Sequence, residues 1–112
     1  MWLAIVGTRT PSISYEDWKV HIDALQPTRI ISGGAVGIDS YAKRYAEEHN
    51  IPCTEYLPQY ELYGRNAPLQ RNTQIVDDCQ FLIAFPSAES RGTWDSIRKA
   101  EKSQKLLKVI NI

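Results

Sequence analysis

The sequence predicts an α/β fold, a three-layer arrangement with a five-stranded parallel sheet in the order 3-2-1-4-5 and helices on both faces. Three observations predict it. Short apolar runs alternate with stretches of helical spacing along the whole chain, which implies crossover connections and a parallel sheet. The runs are continuous rather than alternating, as strands covered on both faces require. Gly/Ser/Thr-rich turns follow three of the runs, and the doubly wound order places those three turns together at the carboxyl edge of the sheet.

Each element has its own signal. Trp2 to Val6 is the first apolar run and ends at Gly7. Ser14 stands as N-cap of the first helix, with Ile13 and Trp18 at hydrophobic-staple positions; Trp18, Ile22 and Leu25 keep helical spacing and Pro27 stops it. Arg29 to Ser32 is the second strand. It feeds Ser32-Gly33-Gly34-Ala35-Val36-Gly37-Ile38-Asp39, a glycine turn that opens a helix with Ile38, Tyr41, Ala42, Tyr45 and Ala46 on one face. Asn50 suits a left-handed C-terminus, and Cys53 to Leu57 is the third strand. Pro58 to Ala67 is one long connection. Pro68 then starts a short helix carrying Leu69, Asn72 and Val76 on a shared face. Phe81 to Phe85 is the fourth strand, Pro86 to Gly92 a polar loop, and Thr93 is expected to cap the last helix with Asp95 in its first turn. Leu106 to Ile112 is the fifth strand. That makes five strands and four helices in one domain over residues 1–112, since 112 residues leave no room for a second core.

Composition narrows the function classes. Acidic and basic residues balance at 13 each, so the net charge is zero. A protein that neutralises a long phosphate backbone needs a basic surface, and the expectation is therefore against nucleic acid as a partner. No apolar run approaches the roughly 20 residues of a membrane span, and the N-terminus has no signal-peptide pattern, which points to a cytoplasmic protein without a membrane partner. Cys53 and Cys79 lack metal spacing and read as reduced thiols. His21 and His49 fall on helices away from the turns, so neither a metal nor a cofactor is expected. Exposed tryptophans and tyrosines leave room for a homodimer.

The candidate site is the meeting point of the three turns. Glycines let backbone amides approach a ligand closely, and a helix N-terminus directs unpaired N–H groups at the same spot. The expected ligand contacts are Gly7, Thr8 and Arg9 from the first turn; Ser32, Gly33, Gly34, Ala35, Gly37 and Asp39 from the second; and Ser90, Arg91, Gly92 and Thr93 from the third. Phosphate is expected on the Gly33 to Gly37 amides, neutralised by Arg9 or Arg91. Asp39 is read as either a base or ribose contact or an acid ordering its helix start. Asn72 and Tyr60 are further base or sugar contacts, Tyr60 by stacking or merely by packing its loop. The turn is not a Walker A loop, because no Gly-Lys-Ser/Thr follows.

Gly7-Thr8-Arg9, the Ser32 to Asp39 turn, Arg71-Asn72 and Ser90-Arg91-Gly92-Thr93 together resemble the SLOG superfamily, nearest to the small YspA-type, YpsA-related branch. The resemblance covers nearly the whole chain. It implies a Rossmann-like fold and a nucleotide or nucleotide-derived ligand, in a sensor or processing protein of nucleotide signalling or phage–host conflict. The Gly-Thr turn is similar to that of the LOG phosphoribohydrolases, which release a base from a nucleoside monophosphate. That likeness would make Arg71 a catalytic arginine. The position of the LOG glutamate is Ser96, so an N-glycosidic hydrolase would need Asp95, or Asp39, as the carboxylate. The central turn is also similar to that of the DprA family, which implies single-stranded DNA binding as a third reading.

Overall fold

The computed structural model describes residues 1–112. Five parallel strands, β1 (Trp2–Gly7), β2 (Arg29–Ser32), β3 (Cys53–Glu55), β4 (Phe81–Phe85) and β5 (Leu106–Val109), form one sheet in the order β3-β2-β1-β4-β5. The order predicted from the alternation is the one observed. Helices α1 (Tyr15–Asp23), α2 (Ile38–Glu48), α3 (Tyr60–Tyr63), α4 (Ala67–Asp78) and α5 (Arg91–Lys102) connect the strands.

The strands β1 and β4 are buried on both faces because each face meets its own core. On one face, Leu3, Ile5, Ile30, Ile83 and Phe85 pack with Trp18 and Ile22 of α1 and Ile38, Ala42 and Tyr45 of α2. On the other, Ala4, Val6, Ile31, Leu82 and Ala84 pack with Ile75 and Val76 of α4 and Ile97 and Ala100 of α5. Trp18 is fully buried, its ring 5.6–6.2 Å from those of Tyr41, Tyr15, Phe85 and Tyr45. Aromatic pairs at such distances add to the area they remove from water. Ser14 caps α1 as its spacing predicts, its Oγ accepting the Asp17 N–H at 3.1 Å. Asn50 takes the left-handed conformation at φ 54°.

The departures from expectation are local. The long connection is not structureless: it winds into the single turn α3 and a 3₁₀ turn at Gly64–Asn66 before α4, so five helices replace four. The two edge strands stop short, β3 at Glu55 and β5 at Val109, although the Tyr56, Ile110 and Ile112 N–H groups beyond them still donate to Ser32 O, Ala84 O and Pro86 O of the adjacent chain segments. Thr93 does not cap α5. The helix begins at Arg91 with Ser90 as its cap residue, since the Ser90 Oγ accepts the Ser87 N–H at 3.0 Å and winds the chain early. Thr93 and Asp95 thereby move into the helix, and no acidic residue lies in its first turn. No helix is long and apolar enough to cross a membrane.

Candidate functional site

The turns after β1, β2 and β4 meet as the strand order requires. Thr8 ties them together. Its N–H donates to Phe85 O at 3.0 Å, its carbonyl accepts the Ile38 N–H at 3.1 Å, and its Oγ1 accepts from Thr10 N–H at 3.2 Å and Ser87 Oγ at 3.3 Å. Around it opens a cleft of about 340 Å³, at the small end of the range for ligand sites. Its lining is nearly all polar. From the expected set it includes Gly7, Thr8, Arg9, Gly33, Ala35, Asp39, Arg71, Asn72, Ser90, Arg91, Gly92 and Thr93.

Five expected residues are not in that lining. Ser32 is fully buried at the end of β2, its hydroxyl without a partner. Gly34, at φ +69°, faces away: a Cβ there would come within 2.7 Å of Leu57 Cδ2. Gly37, at φ +81°, lies against the first turn, where a Cβ would meet Thr8 O at 2.4 Å. Tyr60 stands outside, on α3. Asp95 is held away from the cleft by Lys99 Nζ at 2.7 Å, Asn72 Nδ2 at 3.1 Å and Arg98 at 3.8 Å, a neutralised carboxylate that joins α5 to α4. Conversely, Thr10, Ser87, Glu89 and Ser96 line the cleft and were not expected to; three of them lie in the same turns, which is the signal that could have found them.

The glycine turn does cradle an anion, and that anion is the chain's own. The Asp39 carboxylate accepts the Ala35 N–H at 3.1 Å. The first N–H of α2, at Ile38, is spent on Thr8 O. Of the amides expected for phosphate, that of Ala35 is therefore already engaged, while those of Gly34, Val36 and Gly37 have no partner within the chain. Burial raises the Asp39 carboxyl from 3.8 to about 6, against the opposing pull of the Ala35 N–H and Arg71. Arg71 reaches over the same turn. Its Nη1 donates to Gly33 O at 2.9 Å and its Nε to Asn72 Oδ1 at 3.1 Å. Burial, with Arg9 nearby, lowers its pKa, and Asp39 offsets part of that.

The other glycine-bearing turn is open. The Gly92 and Thr93 N–H groups have no partner within the chain, and the Ser90 side chain caps neither. A Cβ built on Gly92 meets nothing within 4 Å. Thr93 is only 8% exposed, lines the cleft, and its hydroxyl has no partner. Asn72 fixes this end by donating to Gly92 O at 3.2 Å. The α5 N-terminus thus presents two unpaired donors, a hydroxyl, the positive end of the helix dipole and Arg91 to one cleft. No three His, Cys, Asp or Glu side chains come together as a metal set.

Three comparisons bear on identity. Residues 1–57 match the family model of DNA recombination-mediator protein A. The solved structure of DNA processing protein A from Helicobacter pylori, reported for its single-stranded DNA binding mode, superposes with a TM-score of 0.70 at 23% identity. That likeness shows the fold. It covers 96% of this chain and 64% of that one, so the present chain spans less than two thirds of its neighbour. No curated protein matches. These findings overturn the expectation against a nucleic-acid partner. That expectation rested on a net charge summed over the whole surface, whereas Arg9, Arg71 and Arg91 are concentrated in one cleft. On the match over residues 1–57, the chain belongs to the DNA recombination-mediator protein A family.

Proposed function

We propose that this protein binds single-stranded DNA, with a backbone phosphate seated in the cleft between the three turns. One observation carries the reading: Arg9 from the β1 turn, Arg71 from α4 and Arg91 from α5 converge on a polar cleft beside a helix start whose Gly92 and Thr93 N–H groups have no partner within the chain. Guanidinium groups and free backbone N–H groups are the donors that phosphate oxygens take. The family and a structural neighbour reported for its single-stranded DNA binding favour the polymer as the ligand.

Fluorescence anisotropy with labelled oligothymidylates of increasing length tests it. Affinity is expected to rise with length and to fall with salt, the log–log slope changing by about 0.7 per phosphate contact for a single strand. Arg91→Ala should flatten that slope by roughly one contact. Absence of binding at low salt overturns the reading.

The cleft volume of about 340 Å³ favours a second reading, a free nucleotide or nucleotide-derived ligand of the kind the SLOG resemblance implies. A mononucleotide that displaces the oligomer at equal concentration would select it. Turnover of such a ligand would need a carboxylate in the cleft. Asp39 and Glu89 line it and Asp95 does not, so a hydrolase would draw on one of those two.

A further inference from the structure

We propose that the connection between β3 and α4 is a stacking platform for an unpaired base, with the Tyr60 ring as its surface; this rests on the single-stranded DNA reading above. The chain has six tyrosines. Four spend their hydroxyls inside the fold: Tyr15 on Glu48, Tyr41 on Ile13 O, Tyr45 on Asp23 and Tyr56 on Asp78. Tyr60 and Tyr63 have no such partner, and both lie on α3.

The same connection gathers the apolar exposure. Leu57, Tyr60 and Leu62 are 60–67% exposed. Single exposed apolar side chains are ordinary, but three in six residues are not. The exposed Trp2 at the far end of the sheet is covered instead, by the Arg29 guanidinium 4.7 Å from its ring. No cation lies over the Tyr60 ring in this way.

The connection is moored to the cleft at two points. Leu57 packs where a Gly34 Cβ would be, and Tyr56 O accepts from Arg71 Nη1 at 3.4 Å. A nucleotide has a polar half and a flat apolar face. The cleft offers donors to the first but no aromatic ring to the second. The base of a strand whose phosphate lies at Arg71 therefore needs a surface outside, and Tyr60 is the most exposed ring on the connection that Arg71 holds through Tyr56 O. Stacking of this kind suits any base, because every base has a π-face.

The test compares wild-type, Tyr60→Ala and Tyr60→Phe on an oligothymidylate and on an abasic strand of equal length, with light scattering of each variant. Tyr60→Ala should weaken oligothymidylate binding about tenfold or more, leave the salt slope unchanged and leave abasic binding unchanged. Tyr60→Phe should bind as wild-type, since the ring and not the hydroxyl acts. Wild-type binding with Tyr60→Ala unaffected, or equally weakened on the abasic strand, overturns the platform while leaving the DNA reading intact. A fall in molecular mass on Tyr60→Ala would assign the patch to a second copy of the chain and overturn it too. Failure of wild-type to bind either strand removes the DNA reading itself.

Discussion

The turns after β2 and β4 are both glycine-bearing loops opening a helix, and they do opposite things. In the β2 turn the chain supplies its own anion and its own packing against the helix start. Asp39 takes the Ala35 amide, Ile38 N–H goes to Thr8 O, and Gly37 fits against the Thr8 and Arg9 backbone. In the β4 turn the Gly92 and Thr93 amides and the Thr93 hydroxyl are left without partners. Glycine reports that something approaches the backbone closely. At Gly37 that something is the protein's own chain, whereas at Gly92 nothing lies within 4 Å of where a Cβ would stand.

The largest effect that would break this comparison is on stability. Gly37→Ala places a Cβ at φ +81° and 2.4 Å from Thr8 O. It should cost about 3 kcal/mol or more in urea unfolding, a large share of a small domain's stability, whereas the same change at Gly92 should stay within about 1 kcal/mol of wild-type. Equal effects at the two positions would refute the division into a closed and an open turn.

Next in size is a pH effect. Because the Asp39 carboxyl is raised from 3.8 to about 6, the folded state holds its proton more tightly than the unfolded state. Stability is therefore expected to fall as pH rises from about 4 to 6, with the full penalty above 6. Asp39→Asn removes the charge and keeps an acceptor for the Ala35 N–H. It should be more stable than wild-type by about 2–3 kcal/mol near pH 7.5 and by little near pH 4. Thermal melts across that range check it, and a constant difference between the two proteins would count against the burial argument. Glu55 is the other carboxylate acting on Asp39, and Glu55→Gln should shift the window downward.

The smallest effect probes the open turn. Thr93→Val keeps the shape and removes an unpartnered hydroxyl. Stability should change by less than about 0.5 kcal/mol, while DNA affinity falls by about 1–1.5 kcal/mol, a loss of roughly tenfold. Unchanged affinity would take the phosphate away from the α5 N-terminus.

The architecture was legible because it follows from local patterns. Continuous apolar runs specify strands covered on both sides, helical spacing at Trp18 and Ile22 specifies a packed face, and Ser14, Asn50 and Pro68 mark their helix ends by their own chemistry. Handed crossovers then leave one favoured strand order. The convergence of three turns at one edge followed from that order alone. The pairings inside the site were not legible. Asp39 and Ala35 are four residues apart, but nothing local says whether the Ala35 amide faces a ligand or a carboxylate. Asp95 reads as a free acid until Lys99 and Asn72 are placed on it.

The sequence by itself determined the sheet order, the two cores and the edge at which Arg9, Asn72 and Arg91 gather, since each depends on spacing and on residue chemistry within a few positions. Only the tertiary structure decided which amides stay free, that Asp95 is neutralised while Asp39 is buried at the cleft, and that a zero net charge conceals a cluster of arginines. Hydrogen-bond partners and local fields depend on distances between residues far apart in the chain, and a sum over the composition averages those distances away.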